Sequence, residues 1–352
     1  MFHKSALRLI IITFLVGGIK APAHAAFSAD ELLRRISHPA QTHQAWYDNI
    51  SWLRENKDGI RVSLIIDKFL CQKLTQLDAT QLLDLYSLYL TDQSEPEDCI
   101  KILKNKVEEF LRRKKQALRL TVAARTQSIE PCESAASRAT FGPTENYYID
   151  PRKNSGPLVG NSFKKCFLNF TFDDGPNESL TPELLKLLKK HEVYSNFFVV
   201  GDNVHRHPEV VMATAAAGHE IGNHTESHRQ LDKLKFTDGV KEIETGFSSI
   251  FDVLQAHSPF FRFPFGASTK DLRSYLKKTS KTEFFWRIDT LDWKIKDPEA
   301  LFHFVLKEIE REKQGIILFH DIQPQTITTM EFIFTALRDA GYYPVVVRPE
   351  VF

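Results

Sequence analysis

No apolar run in this chain reaches the roughly 20 residues that a bilayer-spanning helix needs, and the run Leu9 to Ile19 falls well short of it. Neither sign of charge dominates: 46 Lys+Arg against 45 Asp+Glu give a formal net charge of +1. That balance excludes a chain-wide attraction to nucleic acid or anionic lipid and leaves only local patches to consider. Glycine (15) and proline (16) are too few in 352 residues for a collagen-like or low-complexity chain. Cysteine is scarce, and Cys71, Cys99, Cys132 and Cys166 show no CxxC or Cys/His metal spacing. No internal repeat of fixed period is present. What remains is a globular composition, 42% hydrophobic, long enough for one large core and a smaller unit.

Residues 1–25 combine a basic start, the apolar run and a small-residue site ending at Ala25, the parts of a secretory signal peptide cleaved after Ala25. Cleavage removes Lys4, Arg8 and Lys20 and no acidic group, so the mature chain is slightly acidic. This reading makes the protein exported, periplasmic or secreted, with no integral membrane segment left. An even number of cysteines in an oxidising compartment permits disulfides. Cys71 with Cys99 is the preferred pair, and buried free thiols are the alternative.

Residues 26–120 have a helical pattern. Ser28 to Glu31 and Asp78 to Gln81 both have capping-box spacing, and Ile102, Leu103, Val107, Phe110, Leu111, Ala117 and Leu118 recur near a 3.6-residue period over about 97–120. The opposite face, with Lys101, Lys104, Lys106, Arg112, Arg113, Lys114 and Lys115, could meet an anionic polymer, although a solvated helix face is the blander explanation. Pro131, Gly142-Pro143, Pro151 and Asn154 to Pro157 mark 121–165 as linker and lead-in loop. From 166 to 352, short β-like runs alternate with helical stretches: 166–172, 193–200, 219–223, 260–265, 282–288, 315–319 and 342–347. That alternation predicts an α/β fold, a parallel sheet or barrel.

Polar groups follow these apolar runs in succession. Asp173-Asp174 precedes Gly175-Pro176, which breaks the strand so that adjacent carboxylates can serve one site. His224 and His228, spaced i and i+4, would share one face of a helical turn; such a pair is either a metal clamp or an exposed helix start. With one carboxylate they complete a facial triad with open positions. Arg262, the pair Asp289 and Asp292, and His320 end three further runs. Singly each has a structural explanation, as surface ion pair, helix cap or satisfied histidine. Five strand ends in a row point to a catalytic rim. His191, His205, His207, His219, His257 and His303 read as structural.

In order, Thr-Phe-Asp-Asp-Gly (171–175), His-Thr-x-x-His (224–228), Arg-x-Pro-Phe (262–265), Asp-x-x-Asp-Trp (289–293) and Leu-x-His (318–320) resemble the five motifs of the NodB-type polysaccharide deacetylases, carbohydrate esterase family 4. The resemblance covers about 166 to 352 and implies a distorted (β/α) barrel preceded by a smaller all-α region. It implies a divalent metal, usually zinc, on Asp174, His224 and His228, with Asp173 as general base. His320 matches the catalytic acid, Asp292 its tuning partner and Arg262 the residue that positions Asp173. Phe265, where relatives often carry Tyr, would give its backbone N–H to the oxyanion. Trp293 and Leu318 match the acetyl pocket, and Phe263 stands where many relatives have proline.

The expected activity is removal of N-acetyl groups from an N-acetylglucosamine-containing polysaccharide, with acetate released. Peptidoglycan comes first, then chitin-type or poly-N-acetylglucosamine oligomers. The alternatives are an O-acetyl esterase on a xylan-like glycan and a catalytically idle glycan-binding module. The helical region could dock a protein partner.

Overall fold

The computed structural model describes residues 46, 50, 74, 77–90, 98–125, 131–132, 144–153 and 156–350. The predicted signal peptide, Ser28 to Glu31 and Cys71 lie outside the described residues. Among the described residues, no helix is long and apolar enough to cross a membrane.

Helix α1 (Ala79–Tyr89) begins where the sequence predicts. The Asp78 carboxylate accepts from the Gln81 N–H at 2.9 Å, and the Gln81 side chain accepts from the Asp78 N–H at 3.1 Å. Two N–H groups at the helix start are thereby satisfied. Its Leu83, Leu85 and Leu88 pack against Ile100, Leu103 and Val107 of α2 (Asp98–Arg125), with Trp46, Ile50 and Leu74 completing the cluster. Further along α2, Leu118 joins the main core, so the same helix serves both clusters. The basic face of α2 is partly consumed in this docking: Lys114 pairs with Asp297 at 2.5 Å and Lys115 with Glu331 at 3.1 Å.

The sheet is built on β2 (Phe167–Asp173), whose seven residues are all buried. Burial on both faces is the mark of a parallel strand covered on two sides by helices. Each ring of Phe170 and Phe172 removed from water contributes about 1.5–3 kcal/mol. Strand β2 pairs in parallel with β8 (Gly315–His320) along its length, with β3 (Asn196–Val199) near its C-terminal end and with β9 (Tyr343–Pro349) near its start. From β3 the order runs through β4 (Glu220–Asn223) and β5 (Phe260–Phe261) to β6 (Thr282–Glu283). Helices α3 (Leu180–Lys190), α4 (Gly201–Arg206), α5 (Pro208–Ala216), α6 (Phe236–Leu254), α7 (Lys270–Lys278), α8 (Pro298–Glu312) and α9 (Pro324–Asp339) connect the strands.

The run predicted over 282–288 is two strands. Phe284 donates its N–H to Phe261 O at 2.7 Å, whereas Arg287 donates to Ile316 O at 2.9 Å, so the segment leaves β5 and continues as β7 (Ile288–Asp289) beside β8. It thus joins the two edges of the sheet, which curls into an incomplete barrel. The run over 260–265 also ends early, because Pro264 lacks an N–H for a ladder and Phe265 takes φ +60°.

A strand also stands where only linker was expected. β1 (Glu145–Ile149) adds to β9 in parallel at the sheet margin. Its side chains are mostly exposed, so no apolar alternation announces it.

Cys132 and Cys166 form a disulfide across 34 residues, a pairing the sequence left open, and Cys99 is also disulfide-bonded. Replacing both Cys132 and Cys166 by alanine should cost about 3–4 kcal/mol through the freed loop entropy. Calorimetry of the double variant would show this as a lower Tm; an unchanged Tm would contradict it.

Candidate active site

Parallel pairing brings the ends of β2 and β8 together, with Asp173 directly opposite His320 in the register. The chain leaves β2 at Asp174, which takes φ +74°, a left-handed conformation that Asp tolerates better than most residues. Gly175 is required there by close approach: a Cβ would lie 2.1 Å from the Asp321 carboxylate.

Arg262, fully buried after β5, donates from Nη1 to Asp173 Oδ1 at 2.6 Å and to Thr171 Oγ1 at 2.8 Å. Its guanidinium carbon sits 4.3 Å from the Phe198 ring centroid, a cation–π contact in dry surroundings. This is a charge-assisted bond between two groups that each need the other to be buried.

His320 sits beside Asp292. Its Nδ1 lies 2.6 Å from Asp292 Oδ1, and its backbone N–H donates to Oδ2 at 2.8 Å. Thr326 donates a third bond to Oδ2 at 2.6 Å. Burial would depress the imidazole, yet the adjacent Asp292 carboxylate outweighs it and pushes the pKa up to about 10. The imidazole is thereby kept protonated around neutrality.

His224 and His228 do not lie on a helical turn, as their spacing suggested. Residues 224–230 form an irregular loop in which Thr225 and His228 both have positive φ. Side-chain bonds pin it: Thr225 donates its N–H to Asn223 Oδ1 at 2.8 Å, His228 donates to Thr225 Oγ1 at 3.0 Å, and Ser227 donates N–H and Oγ to Glu242. A Cβ on Gly246 of α6 would lie 2.4 Å from Asn223 Oδ1, so glycine lets the helix press against this loop.

The result is a convergent donor set. Asp174 Oδ1 lies 3.4 Å from His224 Nε2 and 3.0 Å from His228 Nε2, and the three residues can offer ligand atoms within 4.8 Å of one another. His224 Nδ1 lies 2.8 Å from the Arg262 carbonyl, a bond that orients the ring with Nε2 toward Asp174. Asp174 Oδ1 is buried with no hydrogen-bond partner. Burial works against its ionisation, but His228 and His224 hold the carboxyl well below its usual range. A buried acceptor facing two imidazole nitrogens fits a divalent cation, and a carboxylate with two histidines is a facial set with room for further ligands.

The remaining sequence candidates surround this set. Phe265 is half-exposed, its ring 4.8 Å from that of His228. Leu318 is buried on β8, and the Trp293 side chain hydrogen-bonds Asp289. His219 stands apart in a structural role: it accepts the Ser195 N–H, and burial lowers its pKa to about 4. Thr171 stands in the first motif, but no sequence pattern singles out Thr326, Gln323 or Gln325. Each is an ordinary polar residue whose role depends on what it meets in space.

The chain is similar to known proteins in sequence and in fold. Residues 160–283 match the family model described as polysaccharide deacetylase. The chain is 32% identical over 213 residues to the peptidoglycan-N-acetylglucosamine deacetylase PgdA of Listeria monocytogenes, a match covering 60% of this chain and 45% of that one. It is 30% identical over 206 residues to a chitooligosaccharide deacetylase of Bradyrhizobium, covering 54% of this chain and 91% of the relative. The solved structure of the Bdellovibrio bacteriovorus peptidoglycan deacetylase Bd3279 aligns with TM-score 0.69 and 27% identity, covering 91% of this chain and 94% of that one. The chain belongs to the polysaccharide deacetylase family. It spans just under half the length of the Listeria relative.

Replacing Arg262 with Met should destabilise the fold by about 3 kcal/mol or more, because Asp173 is left charged and buried without its partner. Urea unfolding of the variant would show a lower midpoint, and an unaltered midpoint would refute this account of the pair.

Proposed function

We propose that the protein is a metal-dependent hydrolase that removes N-acetyl groups from an N-acetylglucosamine-containing polysaccharide, peptidoglycan first, and releases acetate. The supporting observation is the flanking of one metal-ligand set by two opposed dyads, Asp173 with Arg262 and His320 with Asp292. Asp174, His224 and His228 are the ligands in this reading, with zinc favoured by two imidazoles and one carboxylate. A bound cation would acidify a water and polarise the acyl carbonyl.

The chain's own groups supply the remaining chemistry. Asp173, held by Arg262, accepts the proton of the attacking water. The backbone N–H of Phe265 donates to the developing oxyanion, so the aromatic identity at 265 is secondary. His320 gives its proton to the departing nitrogen as the C–N bond breaks, and Asp292 keeps it charged until that step. Trp293 and Leu318 shield the acetyl methyl from water. The curated relatives named above act on peptidoglycan or chitooligosaccharides, which supports a glycan substrate of that type. Export through the signal peptide read at 1–25 would place the protein where such glycans lie.

Acetate release from peptidoglycan, chitin oligomers, poly-N-acetylglucosamine and acetylated xylan, with zinc and with chelator, tests the reading. Release from an N-acetylated glycan that stops with chelator is expected. No release by folded, zinc-loaded protein would leave an idle binding module in its place. Asp292→Asn should shift the alkaline limb of the kcat profile to lower pH. The sign follows from the raised His320 pKa: without the carboxylate, burial dominates and the imidazole loses its proton earlier. An alkaline limb that stays in place would argue that His320 is not the acid.

A further inference from the structure

The deacetylase reading leaves α1 and α2 without a task, yet α1 reaches the loops that carry the acid dyad. Asp84 of α1 is buried, accepts from Trp46 Nε1 at 3.1 Å, and pairs with buried Lys296 at 3.2 Å. Lys296 stands four residues after Asp292 on the same loop. Its Nζ donates to Gln323 Oε1 at 2.9 Å, and Ser87 of α1 donates to the same oxygen at 3.2 Å. Gln325 donates both to Gln323 Oε1 at 3.0 Å and to the Asp292 carbonyl at 2.6 Å. Gln323 lies three residues beyond His320. One carbonyl oxygen thus gathers donors from α1, from the Asp292 loop and from the start of α9.

Two further contacts extend the grip. Lys114 of α2 pairs with Asp297 at 2.5 Å, next to Lys296. The Leu90 carbonyl, at the end of α1, accepts from Asn177 Nδ2 at 3.1 Å, on the loop that follows Asp173 and Asp174.

We infer that the helical region is an intramolecular brace for the catalytic acid, in which Asp84, Ser87, Lys296 and Gln323 are positioning residues that set the His320–Asp292 dyad. The inference rests on the deacetylase reading. All four side chains are buried. A histidine that must deliver a proton to a leaving nitrogen needs its ring fixed to a fraction of an ångström. His320 has its backbone at the end of β8, but the loops at 292–297 and 321–323, which carry its partner Asp292 and Gln323, have no regular structure of their own to fix the dyad. Buried, directional and partly charged bonds to a packed helix supply that restraint.

The leaving group provides the test. An amine cannot depart without the proton from His320, whereas 4-nitrophenyl acetate loses a stable nitrophenolate without protonation. Breaking the Asp84–Lys296 pair from one side alone risks unfolding, so both charges are removed together in Asp84→Leu/Lys296→Met, a change buried pairs often tolerate. In the purified full chain loaded with zinc, that variant should lose about tenfold or more in kcat on the N-acetylated glycan, with KM and bound zinc unchanged. Its turnover of 4-nitrophenyl acetate should stay near that of the parent. Ser87→Ala, a one-atom truncation on the same acceptor, should give the same split to a smaller extent and decides the matter if the double variant does not fold.

Equal loss of amide and ester turnover would mean a general structural role and overturn the inference, as would no loss of either. A parent protein that turns over no N-acetylated glycan would instead defeat the deacetylase reading, and this inference with it.

Discussion

A carboxylate taken out of water must be matched by donors or by a positive charge, and the rim of this sheet is arranged around that requirement. Asp292 accepts two bonds from His320 and one from Thr326 while fully buried. Asp173 is met by Arg262 in the same way on the neighbouring strand. The first pairing favours the protonated form of His320. Each pairing fixes position, since a buried charge cannot drift from its partner without losing several kcal/mol.

The parallel sheet makes these pairings possible. Register sets Asp173 opposite His320, and β4 ends one residue before His224. The left-handed turn at Asp174 then lets the second carboxylate of the pair face the histidines instead of the far side of the sheet. Asp173 ends β2 with Asp174 next to it, His224 follows β4 and His320 ends β8, so groups a few ångströms apart meet different electrostatic partners. His320 is held charged by a carboxylate, and Asp174 is held ionised by imidazoles.

The helical region extends the same logic. Its own cluster of Trp46, Leu83, Leu85 and Leu88 secures α1, and α1 then presents Asp84 and Ser87 to the barrel. α2 is anchored twice, through Leu118 in the main core and through Lys114 and Lys115 in ion pairs with the barrel helices. Lys114 and Lys115, for which the sequence offered an anionic polymer or solvent, meet the rest of the protein.

The sequence by itself determined the α/β class, the helical start at Asp78, and the residues of the three-donor set and both dyads. Strand ends are visible as polar residues after apolar runs, and their order along the chain is already a pattern. Tertiary structure decided what no local pattern encodes. β1 is a strand only because β9 offers it an edge, and its exposed side chains leave no alternation to read. The run at 282–288 breaks because its hydrogen-bond partners change from β5 to β8. His224 and His228 converge through a loop pinned by Asn223, Thr225 and Glu242, not through helical periodicity. Ser87 and Gln323 meet across 236 residues. Serine and glutamine look alike in sequence whether solvated or buried, and only the fold, by removing the water, turns them into bonds that carry position.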